Sequence, residues 1–375
     1  MLSRLKFDLS DTISTMIGYI PEPVWVNQTT TFCDFEMGGG QFIKAVVDNL
    51  KLHGHSDENI QSRVFGFSDN ELYLSYVIGS DIIGTFDIYK EKKHSNMKFD
   101  VIVGNPPYQM QVGPAKTETI WDKFVIKSFN HLKDGGYLTF VHPSGWRNVD
   151  GKYKDIQRKI LSKNLIYLEI HNEKDGLKTF GAETRYDVYV LQNSNTSHTD
   201  TTIKFQDNTE KLVNIIGLEF IPNSDFDLVS SLVAKNNEES VELIHTNVHH
   251  TQKKYMSENK TITNKYECIY TVKSGDIPTF WYSPFNDKGH FGVPKLVFSN
   301  FRISSAGSFL DIDGKYGMCQ FSSGIVDTIE NLPFIKKAFD TPRFRKLMEN
   351  CSVSDLSINY KLLSTFRKDF WKEFI

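Results

Sequence analysis

The sequence predicts an α/β fold with a mainly parallel sheet in its first half, followed by a second unit of mixed α+β character. Three observations carry that reading. Up to about residue 195, short β-rich runs alternate with amphipathic helical patterns, the rhythm of βαβ units. Beyond that point strands and loops mix without it, and the last segment is basic and helical in pattern. A glycine-rich turn and a proline-rich loop each follow a strand directly, where open α/β sheets bind ligands.

The elements follow in order. TTTFCDF (29–35) is a strand, and GGGQFIKAVVDNLKLHG turns into a helix. RVFGFS (63–68) is the second strand, DNELYLSYVIGS a helix by its apolar spacing, and SDIIGTFDIY holds the third strand. FDVIVGNPPY (99–108) is a fourth strand that runs into a rigid loop. IWDKFVIKSFNHL (120–132) has the spacing of an amphipathic helix, with the Gly135-Gly136 pair expected to end it. YLTFVHPS, LIYLEIHN and YDVYVLQN (186–193) supply the fifth, sixth and seventh strands. The polar stretch NSNTSHTDTT then reads as a connection, which puts one domain at 1–200 and a second at 201–375.

Composition narrows the function classes. The 375 residues are 39% hydrophobic and 24% charged, as in a soluble globular protein, and no apolar run reaches the length of a membrane helix. The start, MLSRLKFDLSDTIS, carries acidic residues and makes a poor signal peptide. Cys33, Cys268, Cys319 and Cys351 are scattered without a CxxC pair, which fits reduced thiols better than a disulfide framework or a zinc site. A cytoplasmic location with no membrane partner and no metal is therefore expected. HTNVHH (245–250) has no carboxylate or thiol at ligand spacing, and Asp87 with Glu91-Lys92-Lys93 mimics a nuclease pattern only loosely. The formal net charge of −3 requires any nucleic acid to be held by local patches. Lys336, Lys337, Arg343, Arg345, Lys346, Arg367 and Lys368, set among aromatics near the C-terminus, are the best source of phosphate contacts.

GNPPY (104–108) is the most informative stretch. Two consecutive prolines fix φ and remove backbone donors, so the loop is stiff. Asn105 offers a carbonyl acceptor with the Pro106 carbonyl beside it, a pair able to accept both hydrogens of an –NH2 group. Tyr108 offers a flat face for a planar substrate. An exocyclic amine is a poor nucleophile while its lone pair is delocalised. Two acceptors on its hydrogens favour a tetrahedral nitrogen and stabilise the positive charge that grows on it, without a strong base. The bland alternative is a turn that merely ends a buried strand.

FDVIVGNPPYQ resembles the catalytic motif of the γ-type DNA adenine-N6 methyltransferases of restriction–modification systems. The resemblance implies a Rossmann-like sheet that binds S-adenosyl-L-methionine (AdoMet), with a C-terminal recognition domain. It implies double-stranded DNA as substrate and a separate cognate restriction endonuclease as a partner. Asn105, Pro106, Pro107 and Tyr108 would then be catalytic positions that hold a base flipped out of the duplex, with an aromatic near Phe180 packed on it. CDFEMGGGQF is similar to that family's cofactor motif, which makes Asp34, Gly38, Gly40 and Phe42 cofactor-binding positions. Asp87 stands where the family uses an acid to bind the adenine of AdoMet, and GYIPEPVW (18–25) where a short segment closes over it.

One departure concerns the ribose. The second strand ordinarily ends in an acid that binds its hydroxyls, whereas here Ser68 stands at that position with Asp69 next. Glu36 and Met37 also replace small residues in the glycine turn. LKDGG, the Pro-Ser after the fifth strand, KTFGAETRYDVYVLQN, VPKLVFSNFR and DGKYGMCQF continue the resemblance, specific over about 20–195 and loose beyond. The glycine turn precedes NPPY and begins near the start of the sequence, which argues against a nuclease fused ahead of it. Two rivals stay open. One is an RNA or protein-glutamine amine methyltransferase. The other is a catalytically silent DNA-binding protein on the same scaffold.

Overall fold

The computed structural model describes residues 9–114, 116–149, 151–195, 200–300, 306–353 and 358–375. The start of MLSRLKFDLSDTIS, the centre of the polar connection (196–199), the end of VPKLVFSNFR (301–302) and the side chain of Glu91 lie outside the described residues. The chain divides into two compact units, Met1–Trp146 with Gly151–Leu218, and Arg147–Asp150 with Glu219–Ile375.

The first unit opens with α1 (Ser10–Gly18) and α2 (Glu22–Val26), followed by β1 (Phe32–Asp34), α3 (Gln41–Leu52), α4 (Asp57–Arg63), β2 (Val64–Ser68), α5 (Glu71–Ile78), β3 (Thr85–Ile88), α6 (Glu91–His94) and β4 (Phe99–Gly104). A hairpin, β5 (Gln109–Gly113) and β6 (Lys116–Thr119), precedes α7 (Trp121–His131), β7 (Leu132–Pro143), α8 (Lys154–Leu161), β8 (Asn164–His171), α9 (Glu173–Phe180), β9 (Tyr186–Gln192), β10 (Thr201–Lys204) and β11 (Glu210–Val213). The sheet runs β11-β10-β8-β9-β7-β4-β1-β2-β3. Its centre is parallel, β1 pairing with both β2 and β4, β2 with β3, and β4 with β7. β9 is inserted antiparallel between β7 and β8.

Burial explains these elements. β1 is buried along its whole length, as a strand with neighbours on both sides must be. α3 buries Phe42, Ile43, Val46, Val47 and Leu50 at helical spacing and packs on β1, β2 and β4. Asn70 caps α5 by accepting from the Leu72 amide at 2.9 Å.

Two expectations need correction. α7 does not run to the Gly135-Gly136 pair, because the chain enters β7 at Leu132, which pairs with Phe99 of β4. The pair lies inside that strand, and a Cβ on Gly136 would sit 2.7 Å from the Asp100 carbonyl. The domain boundary also lies later than 200. Thr202–Lys204 pair parallel with Tyr167–Glu169 of β8, and β11 folds back on β10, so 201–218 complete the first unit.

The second unit has a four-stranded sheet ordered β12-β18-β15-β16 and a three-stranded one ordered β14-β13-β17. These comprise β12 (Glu242–His245), β13 (Tyr266–Lys273), β14 (Ile277–Ser283), β15 (Lys295–Ser299), β16 (Ser308–Asp311), β17 (Gly317–Met318) and β18 (Ser322–Val326). The helices α10 (Phe226–Leu232), α11 (Leu332–Asp340), α12 (Pro342–Asn350) and α13 (Tyr360–Leu363) complete it, a mixed α+β arrangement as expected. Leu296, Phe298, Ile335, Phe344, Phe366 and Phe370 share its main core. The four cysteines are buried and free.

Gly176 of α9 provides a direct test of packing. A Cβ there would collide with the Thr184 carbonyl, which belongs to backbone and cannot swing aside, whereas one on Gly18 would meet nothing within 4 Å. Gly176→Ala is expected to destabilise the protein by about 1–3 kcal/mol in urea unfolding, and Gly18→Ala to stay within about 0.5 kcal/mol of wild type.

Candidate active site

β1 and β4 lie side by side and end together at Asp34 and Gly104. β2 and β3 were laid down on one side of β1 before the chain returned to place β4 on the other. The ends of β1 and β4 therefore form a topological switch point, the crevice in which such sheets take ligands. A cavity of about 380 Å³ opens there, within the usual range of ligand sites. Its walls are Leu9, Asp34, Glu36, Met37, Gly38, Gly39, Gln41, Phe42, Asn105, Pro106, Tyr108, Gln109, Phe180, Ala182 and Thr184.

The glycine turn forms one end. The Met37 amide donates to the Phe67 carbonyl at 2.9 Å, which clips the turn to β2, and the Gly40 amide returns to the Met37 carbonyl at 2.7 Å. Gly38 (φ +52) and Gly40 (φ +78) take left-handed conformations that L side chains resist. A Cβ on Gly38 would meet nothing within 4 Å, so this backbone borders open space, whereas Gly40 packs against Val77 and Ile82.

Asp34 is buried at the base of the turn. Its Oδ1 accepts from the Glu36 amide at 3.0 Å, while Oδ2 has no hydrogen-bond partner among the described residues. Burial raises its pKa to about 8, and the neighbouring Glu36 adds to the rise against the lowering effect of the amide bond. Glu36 accepts from Ser68 Oγ at 3.1 Å and from the Asp69 amide at 3.3 Å. Burial first, then the Asp69 carboxylate, lifts its pKa to about 7.

The proline loop forms the other end. Asn105 is half-buried, and its Oδ1 is a buried acceptor without a partner among the described residues. Phe180, the last residue of α9, is fixed by a capping box at Asn172 and by Gly181 (φ +66) just beyond the helix. The Tyr108 and Phe180 rings stand 5.6 Å apart at 67°. Both cannot stack face-on against one planar substrate in this arrangement, so one offers a face and the other an edge.

The structure thus brings together Asp34, Gly38, Phe42, Asn105, Pro106, Tyr108 and Phe180. Pro107, Gly40, Ser68, Asp69 and Asp87 do not line the cavity. Asp87 instead pairs with Lys93, whose hydrogen bond holds its carboxyl below the ordinary range, and accepts from the Ile88 amide. Ile20 and Trp25 of the segment expected to close over the cofactor are buried in the core. Among the wall residues that the sequence reading did not place in the site, Glu36 is the carboxylate, and it stood out there as an acid where the motif has a small residue.

The basic group near the C-terminus also needs correction. Lys336 binds Asp276 and Asp340, Arg367 binds Asp369 and Glu373, Lys346 binds Glu349, and Lys368 binds Glu239. Arg343 and Arg345 donate to the carbonyls of Glu373 and Ala306. Most of this charge is met within its own unit, which weakens the case for it as the phosphate-binding surface. Among the described residues no cluster of metal-binding side chains occurs, and no helix is long and apolar enough to cross a membrane.

Residues 41–180 match the family described as Eco57I restriction-modification methylase. The matched segment makes up less than half of the 375-residue chain. It begins with the first residue of α3 and ends at Phe180, so it contains the NPPY loop and both rings of the cavity. Within the curated proteins, modification methylase CviBIII of Paramecium bursaria Chlorella virus NC1A is 32% identical over 106 residues, 26% of this chain and 27% of that protein. The putative type II restriction enzyme and methyltransferase RM.MjaORFECS2P of Methanocaldococcus jannaschii is 33% identical over 84 residues, 19% of this chain and 7% of that protein. The chain therefore spans only a minor part of either relative. The solved structure of the type IIL restriction-modification enzyme MmeI in complex with DNA shares the fold, with a TM-score of 0.51 at 10% identity over 95% of this chain and 64% of that one.

The pKa of Asp34 gives the first unit a pH signature. The folded chain keeps the Asp34 proton up to about pH 8, whereas an unfolded chain loses it near the ordinary value of 3.8. Folding takes up a proton across that window, so the stability attached to this group falls as pH rises through it. Unfolding measured in parallel should show Asp34→Asn gaining on wild type from about pH 4 to about pH 8 and no further above that.

Proposed function

We propose that the chain is a DNA methyltransferase that transfers a methyl group from AdoMet to the N6 amine of an adenine flipped out of the duplex. The observation that carries this reading is that Asn105 and Asp34 line one cavity and that each has a buried oxygen, Oδ1 and Oδ2 respectively, without a hydrogen-bond partner among the described residues. One end asks for an amine and the other for a donor group, with the apolar surfaces of Phe42, Tyr108 and Phe180 between. The family match over 41–180 supports methyl transfer, and the fold shared with MmeI, solved with DNA, supports DNA over RNA or a protein loop.

The residues present fit AdoMet. Asp34 Oδ2 is a ready acceptor for the α-ammonium of its methionine part, and the open backbone at Gly38 and Gly39 admits a ligand against the main chain. When bound, AdoMet supplies an electrophilic methyl group on a sulfonium. The protein's part is binding and positioning. Asn105 Oδ1 and the Pro106 carbonyl would accept the two amine hydrogens, which directs the nitrogen lone pair out of conjugation and stabilises the growing positive charge. The proline pair keeps both acceptors rigid, and Tyr108 holds the ring plane. An amide side chain is a poor base, so the surplus proton leaves from the methylated nitrogen to water.

Asn105→Ala removes one acceptor without touching the cofactor end. In single-turnover transfer of labelled methyl to unmethylated DNA it should slow the reaction by about 100-fold or more, with calorimetric affinity for S-adenosylhomocysteine unchanged. Full transfer by the variant would remove Asn105 from the mechanism. Binding of S-adenosylhomocysteine with transfer only to RNA or protein would replace the DNA reading.

A further inference from the structure

Glu36 is a carboxylate in a turn that otherwise consists of small and apolar residues, and the surrounding structure is adapted to it. At the tip of β2, Ser68 offers a hydroxyl in place of an acid, and that hydroxyl donates to Glu36 Oε1. The Asp69 amide donates to Glu36 Oε2. One residue along the turn, Met37 occupies the space over Gly66 of β2, where any Cβ would lie 2.5 Å from the Met37 sulfur. Two large residues in the turn thus meet two small ones on the strand. The carboxylate of Glu36 lies at the tip of β2 and lines the cavity, whereas Ser68 is fully buried and does not.

We infer that Glu36 binds the ribose hydroxyls of the cofactor, taking over from the glycine turn the part that the acid at the end of the second strand plays in related nucleotide-binding sheets. This rests on the AdoMet reading of the cavity and adds the residue that recognises the sugar. A carboxylate can accept about four hydrogen bonds, and among the described residues Glu36 receives two. The remaining positions suit the two vicinal hydroxyls of a ribose. Fixed by Ser68 and Asp69, the group loses little freedom when a ligand arrives. Burial, then the Asp69 carboxylate, raises its pKa, and donors from a diol would favour the ionised form. The absence of an acid at position 68 is then a relocation of the sugar-binding group within the same corner of the cavity, and the silent-scaffold alternative loses its motive.

The test is titration calorimetry with S-adenosylhomocysteine and with its 2′,3′-dideoxy analogue, on wild type, Glu36→Gln and Glu36→Ala, each first shown to unfold cooperatively. The wild type should bind the hydroxylated ligand on the order of ten-fold or more tighter than the dideoxy analogue. Glu36→Ala should lose that difference while it keeps its affinity for the dideoxy analogue, with Glu36→Gln between. Equal loss for both ligands would make Glu36 a support of the turn only and overturn the inference. So would a wild type that binds the two ligands equally, although the cofactor reading would then stand. Should the wild type bind neither, the cofactor reading fails and this inference with it.

Discussion

The site depends on one constraint, the parallel pairing of β1 with β4. Phe32 and Cys33 lie opposite Val101 and Ile102, so the two strands end level, with Asp34 on one tip and Gly104 on the other. The approach is close enough that a Cβ on Gly104 would come 3.0 Å from Asp34 Oδ1. Stretches about seventy residues apart in the chain are thereby fused into one cavity. A slip of one residue between these strands would turn every side chain over and separate the acid from the proline loop. Everything that the cavity can do follows from two strand ends meeting at a switch point, each continued by a loop whose conformation is fixed locally. Glycines with left-handed φ fix the turn, and consecutive prolines fix the loop.

The electrostatics of the cavity are dominated by two acids. Asp34 and Glu36 are both buried carboxyls, and each is pushed towards its protonated form, to about 8 and about 7. Elsewhere a cation holds a carboxyl below its ordinary range, as Lys93 does for Asp87. The two cavity acids receive hydrogen bonds from backbone amides and a serine instead. On the proposed reading, a cationic ligand with hydroxyl groups would supply charge and donors to both acids, and the binding energy would offset the cost of burying them.

Much of the fold and of the site was legible in the sequence, because the relevant signals are local. The apolar periodicity of α3 and the strand-then-proline pattern of FDVIVGNPPY depend on near neighbours, and both stand where they were read. Features set by tertiary pairing were not legible. Nothing local in the sequence marks Leu132 as the start of a strand, since its partner is Phe99 of β4. β10 and β11 were assigned to the wrong side of the boundary because their place is decided by β8, whose paired residues lie 35 positions earlier. Two acidic partners of the basic residues near the C-terminus, Asp276 and Glu239, are far away in the chain and could not be paired from the sequence, whereas Asp340, Glu349, Asp369 and Glu373 are near neighbours whose pairing the sequence reading passed over. Glu36 was visible as an oddity, but its meaning needed the contact with Ser68, thirty-two positions on.

The central claim is that one cavity holds a methyl donor at the glycine turn and a base amine at the proline loop. Mass spectrometry of nucleosides tests it most directly, after incubation of the protein and AdoMet with unmethylated duplex DNA and, separately, with RNA. The account predicts N6-methyladenine in the DNA digest. Methylation confined to RNA, or a DNA product methylated on ring carbon instead of an exocyclic amine, would contradict it.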